Sequence, residues 1–260
     1  MKITNVEDVR NAIERIWNSG NMDELSKEMP WLRTRGYVVA EPHQVDLLIA
    51  GINPSFNENE KKNDPKACGG DSRVHFYPAK WKEDSGKRWS TYFGPLRKML
   101  VDEQNGINLM DRFDYLDIFH YKYRDQAILR QKILKKAEGI SFVADELNLT
   151  QHLIEDVIKP KLILVKNKES WAYWGKLQNE GFMWMGYNFE KVRDYSCGEL
   201  CRITGLQDSD ERIAPEITNE NTSLKGTYVL FSRHINQFTK REERPTAIIL
   251  NDILNKTMTR

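Results

Sequence analysis

Residues 45–56 read VDLLIAGINPSF, and the fold turns on this stretch. An almost unbroken apolar run from Val45 to Ala50 is cut short by Gly51, Ile52, Asn53 and Pro54. A run of that length bounded by turn residues predicts a strand covered on both faces, as in a parallel sheet, with a loop leaving its carboxyl end. Two later segments repeat the pattern, KPKLILVKN (159–167) and GTYVLFSRH (226–234), and INLMDRFDYLDIFHY (107–121) ends in a further strand.

Between these strands lie segments of helical spacing. TYFGPLRKMLVDE (91–103) places Pro95 in a first turn. AILRQKILKKAEGISFVADELNLTQHLIEDVI (127–158) is helical with a break expected near Gly139, KESWAYWGKLQNEG (168–181) ends on a glycine, and RPTAIILNDILNK (244–256) closes the chain. Strands alternating with helices predict an α/β fold: three layers, α/β/α, around a central, mainly parallel sheet of four strands. The expected organisation is a single domain over 1–260. Residues 1–40 form an N-terminal helical extension, and 182–225, which lack clear periodicity, form an insertion holding two antiparallel strands. Residues 57–88 read as a long polar loop, in which Trp81, with Trp89 just beyond it, is a candidate single-strand stacking platform.

Composition narrows the function classes. The 260 residues are 40% hydrophobic and 30% charged, as in a folded domain. No apolar run approaches the roughly 18–20 residues of a membrane helix, and the N-terminus lacks the apolar centre of a signal peptide, so a cytoplasmic protein without a membrane partner is expected. Lys and Arg total 39 against 38 Asp and Glu, a net charge of +1. Such a chain has no global field to attract a polyanion, and binding nucleic acid requires a local patch.

The GINP of Gly51, Ile52, Asn53 and Pro54 after an apolar strand, followed in order by YFGPLRKML, KPKLILVKNKESW and a strand ending at His234, resembles the uracil-DNA glycosylase superfamily. The match is nearest to its mismatch-specific and single-strand-selective branches and covers about Val45 to Leu254. Two positions depart from that pattern: Ser55 stands where the family usually has Gly, and Ile235-Asn236 stand where it has Pro-Ser.

The resemblance implies a DNA glycosylase-like hydrolase that cleaves the N-glycosidic bond of an altered base in DNA, as in base-excision repair. Asn53 would position the attacking water, and His234 would donate a hydrogen bond to the departing base. A turn-capping role for Asn53 and ordinary loop chemistry for His234 are the alternatives. Asp117 falls near the family's base-reading amide. As an acceptor-only carboxylate it would read an exocyclic amine or ring N–H, or act as general base, unless it merely caps a loop or pairs with Arg124.

Gly51, Ile52, Pro54, Ser55, Phe56 and Asn236 would line the substrate site, with Phe56 able to stack on a flipped base. Arg233, Lys240, Arg241 and Arg244 would meet phosphates, and Ile235 would wedge into the base stack. Some members of the superfamily carry an iron–sulfur cluster on four cysteines. This chain has only Cys68, Cys197 and Cys201, so no cofactor or metal is expected. The expected partner is single- or double-stranded DNA with a flipped base, or a nucleotide, bound by a monomer. The alternatives are an inactive relative that binds nucleic acid, a nucleotide or a protein, and an enzyme acting on free nucleosides or nucleotides.

Overall fold

The computed structural model describes residues 1–41, 43–54, 73–75, 94–177, 183–232, 235 and 239–258. In chain order the helices are α1 (Val6–Trp17), α2 (Gly20–Glu28), α3 (Trp31–Arg35), α4 (Gly94–Leu100), α5 (Ala127–Gln131), α6 (Ala137–His152), α7 (Trp171–Trp174) and α8 (Ala247–Met258). The strands are β1 (Val38–Ala40), β2 (Leu47–Gly51), β3 (Arg73–His75), β4 (Val101–Asp102), β5 (Ile107–Asn108), β6 (Phe113–Asp117), β7 (Leu162–Val165), β8 (Tyr187–Tyr195), β9 (Gly198–Leu206) and β10 (Tyr228–Ser232). The protein is α/β, and the chain divides into two compact units.

The first unit comprises Met1–Pro42, Ile52–His75 and Asp117–Val157. Helix α1 begins with a capping box, in which the Asn5 side chain accepts from the Glu7 and Asp8 amides and Asp8 reaches back to the Asn5 amide. Its buried residues, Val9, Ala12, Ile13, Ile16 and Trp17, form one helical stripe. Trp17 closes against Tyr37 and Phe142 at ring-centroid distances of 4.7 and 5.5 Å. Burying side chains of this kind contributes roughly 1.5–3 kcal/mol each for the larger ones. Strands β1 and β3 pair in parallel.

The break predicted near Gly139 falls earlier. Helix α5 stops at Gln131, a 3₁₀ turn spans Ile133–Lys135, and α6 starts at Ala137. Gly139 lies inside α6, where a Cβ would overlap the Ile133 carbonyl, so the residue permits a close backbone approach and does not end a helix.

The second unit comprises His43–Gly51, Phe76–Leu116 and Ile158–Arg260. Its sheet has six strands in the order β6-β2-β7-β10-β9-β8. The pairs β2/β7 and β7/β10 are parallel, with Leu47, Leu162 and Tyr228 in register. The pairs β10/β9 and β9/β8 are antiparallel. The sheet is therefore mixed and six-stranded, which corrects the expectation of four mainly parallel strands. The added hairpin lies within 182–225 and covers the edge that β10 would otherwise expose with unpaired backbone groups.

Every residue of β2, β6, β7 and β10 is buried; in β2 and β7 that is what a continuous apolar run requires, whereas β6 buries Asp114 and Asp117 as well. Leu47, Ile49, Leu162, Leu164 and Leu230 share a core with Leu96, Met99 and Leu100 of α4 and Leu250, Ile253 and Leu254 of α8. Helix α7 ends at Gly175, whose φ of 93° is left-handed, six residues before the glycine stop expected at Gly181. Thr246 opens α8 by accepting from the Ile249 amide at 3.2 Å. No described helix is long and apolar enough to cross a membrane.

Candidate functional site

Parallel neighbours end on the same side of a sheet, so the carboxyl ends of β2, β7 and β10 lie along one edge, where open α/β sheets bind ligands. Gly51 ends β2 there and Ser232 ends β10. β7 lies between these two strands, so β2 and β10 are not adjacent.

Past Gly51 the chain enters the first unit and runs beside the segment that continues from Asp117. The Phe119 amide donates to the Ile52 carbonyl and the Tyr123 amide to the Pro54 carbonyl, each at 2.9 Å. Asn53 bridges the two segments. Its Nδ2 donates to the Tyr123 carbonyl at 2.7 Å and to the Pro54 carbonyl at 3.2 Å.

Those two acceptors define the amide's orientation, since an oxygen in place of Nδ2 would face two carbonyl oxygens. Oδ1 is thereby turned away. It is buried and has no hydrogen-bond partner among the described residues. Unsatisfied buried acceptors are rare enough to require an explanation, and an acceptor held ready for a ligand or water is one. The turn-capping alternative does not use this oxygen.

Ile52 and Pro54 are buried beside Asn53, and Asp117 ends β6 with 7% of its surface exposed. Ser55, Phe56, Arg233, His234 and Asn236 lie outside the described residues, as do Cys68, Trp81 and Trp89. Ile235 is 2% exposed and belongs to the core beneath α8, so inserting it between bases would take it out of that core. Lys240 is exposed at the start of a 3₁₀ turn over Arg241–Glu243, whose two glutamates interrupt the basic run, and Arg244 is half-buried.

Several buried polar residues escaped the sequence reading. In the first unit Glu146 of α6 is fully buried, and its Oε2 accepts from the His120 amide at 2.7 Å. It also takes the Tyr121 amide. The His120 Nδ1 lies 3.9 Å from Glu146 Oε1. Burial pushes the Glu146 carboxyl up to about 8, against the pull of the two amides, and pushes the His120 imidazole down to about 4. Near neutrality the pair is therefore a carboxylic acid beside a neutral ring. One turn further along α6, Thr150 Oγ1 donates to the Ile118 carbonyl at 2.8 Å. Two side chains of one helix thus clamp the backbone that holds Asn53. The positions of Phe142, Val143, Glu146, Leu147 and Thr150 mark Glu146 as a member of the buried stripe, and that spacing was the available signal.

In the second unit Lys166 and Asn167 follow β7 and are 2% and 6% exposed. The Lys166 ammonium lies 5.3 Å from the Tyr115 ring centroid. Asp114 lies 3.6 Å from His43, and burial raises its carboxyl to about 6 although His43 and the Tyr115 amide pull the other way.

Cys197 and Cys201 are buried, which raises both thiols to about 11. Cys201 accepts from Lys176 and donates to Glu199. Among the described residues no group of three or more His, Cys, Asp or Glu side chains could hold a metal ion. No protein-family model, curated protein or solved structure matches the chain.

Proposed function

We propose that this chain is a DNA glycosylase-like hydrolase, related to the uracil-DNA glycosylase superfamily, that releases an altered base from DNA. The observation that carries the reading is the Asn53 amide, with both hydrogens committed to backbone carbonyls and Oδ1 buried without a described partner.

Departure of a base from deoxyribose passes through an oxocarbenium-like state that a neutral water can capture. Asn53 needs only to accept a hydrogen bond from that water and orient it, which an amide does without being a base. His234, two residues past β10, would stabilise the negative charge developing on the leaving base, and Asp117 would read the ring. In the three-layer, four-stranded arrangement that this reading implies, β6, β2, β7 and β10 would be the shared sheet and the β8–β9 hairpin an addition.

The test is single-turnover base release from single- and double-stranded oligonucleotides carrying uracil, hypoxanthine or other altered bases. The wild-type protein releases one of them, and Asn53→Ala slows release by about 10²–10³, the usual cost of losing one preorganised contact of this kind, at a temperature where its melting curve, lowered by the loss of the two Nδ2 hydrogen bonds, still shows it folded. The net charge of +1 favours a second reading, an inactive relative that binds nucleic acid, a nucleotide or a protein. Binding without release of any base would establish that reading in place of the first.

A further inference from the structure

The residue that receives the Asn53 amide carries an aromatic ring, and the ring has company. Tyr123 is held to the Asn53 loop through both its amide and its carbonyl, so its side chain has a defined position relative to that loop. The Trp31 indole, at the start of α3, lies 4.3 Å from the Tyr123 ring, centroid to centroid, at an interplanar angle of 58°. The Arg35 guanidinium, one turn along α3, sits 4.4 Å from the Tyr123 centroid and 5.7 Å from that of Trp31.

All three side chains are half-buried, unlike the Trp17, Tyr37 and Phe142 rings of the same unit, which are fully enclosed. Trp31 and Tyr123 meet at a tilt, a favourable aromatic contact that orders the two rings against each other. Arg124 follows Tyr123, is exposed, and has no ion-pair partner among the described residues. Two aromatic rings with a guanidinium across them, and a second cation on the next residue of the chain, form a combination suited to a base and its phosphates. Bases stack on π-faces and on guanidinium planes whatever their identity, and the cations meet the backbone.

We infer that Trp31, Tyr123 and Arg35 form a stacking subsite for an unpaired nucleotide of single-stranded nucleic acid next to Asn53, with Arg124 against the adjoining phosphate. The inference deepens the base-excision reading and rests on it for the ligand class, which here is a flexible single strand and not a closed duplex. A base held on a platform tied to the Asn53 loop keeps the neighbouring nucleotide within the reach of one backbone step.

The experiment titrates a fluorescently labelled single-stranded oligothymidylate, and the corresponding duplex, into the full chain and three variants, and measures base release in parallel. The wild type binds the single strand more tightly than the duplex. Trp31→Ala weakens single-strand binding about tenfold, within the range for loss of one stacked base, while Trp31→Phe keeps most of it. Arg35→Gln weakens binding and lowers its salt dependence. Unchanged binding by Trp31→Ala, or no oligonucleotide binding by the wild type, overturns the inference. Base release with an unchanged KM in Trp31→Ala would overturn the platform and leave the excision reading standing. Trp31-dependent binding without release would do the reverse.

Discussion

A carboxamide whose two hydrogens are already committed has one function left, and Asn53 is in that position. Its donors are spent on the carbonyls of Pro54 and Tyr123, so only its acceptor remains for chemistry. Asp117 makes a contrast of the same kind. It is a buried carboxylate at the end of β6, and when ionised it accepts and cannot donate. If it reads the base, Asp117→Asn supplies a donor as well, and preference across a panel of altered bases shifts toward uracil-like rings, measured as relative kcat/KM with melting curves as the control for folding. A residue that serves only the strand end would leave the preference where it was. The letters of the GINP motif suggested Asn53. Its orientation was not legible, because the carbonyl that fixes it belongs to Tyr123, seventy residues away.

At the scale of the element, α6 acts as a brace. Glu146 and Thr150 project from one stripe and hold the backbone at Ile118, His120 and Tyr121. The Glu146 carboxyl is raised to about 8 in the fold from an ordinary 4.5, so the native state holds a proton that the unfolded state has released between those values. Stability from this group is fully present below about 4.5 and is lost as pH rises toward 8. His120 is lowered to about 4 from 6.5, so its contribution has the opposite sign and runs only between those values. From about pH 4.5 to 6.5 the two slopes oppose each other. From 6.5 to 8 Glu146 acts alone, and stability falls by up to about 1.4 kcal/mol per pH unit. Chemical denaturation between pH 6.5 and 8 measures this decline, and Glu146→Gln, which cannot ionise, flattens it. A wild-type stability constant over that window would mean that the carboxyl does not titrate there.

At the scale of the whole chain, 39 basic and 38 acidic residues leave no net field, so the proposed binding of DNA would have to come from local groups. The segment after β10 offers Lys240, Arg241 and Arg244, interrupted by Glu242 and Glu243. If the three cations meet phosphates, replacing all of them with Ala weakens binding and lowers the slope of log K against log salt by up to about three. An unchanged slope assigns them to solvent. The amino-acid sequence by itself determined the α/β class and the buried parallel strands, because a strand covered on both faces must be apolar throughout and LLIAG, LILV and YVLFS show that locally. It also carried the helical character of the N-terminal residues, since helical spacing is a matter of neighbouring residues. The strand order, with β7 between β2 and β10, and the extension of the sheet by β9 and β8 were decided only by the tertiary structure. Strand order and edge pairing depend on backbone hydrogen bonds between distant segments, and those bonds are nearly indifferent to side-chain identity. For the same reason the Glu146 clamp and the Trp31–Tyr123–Arg35 cluster join residues whose separation along the chain hides them: each is an ordinary polar or aromatic residue until folding brings its partner within a few ångströms.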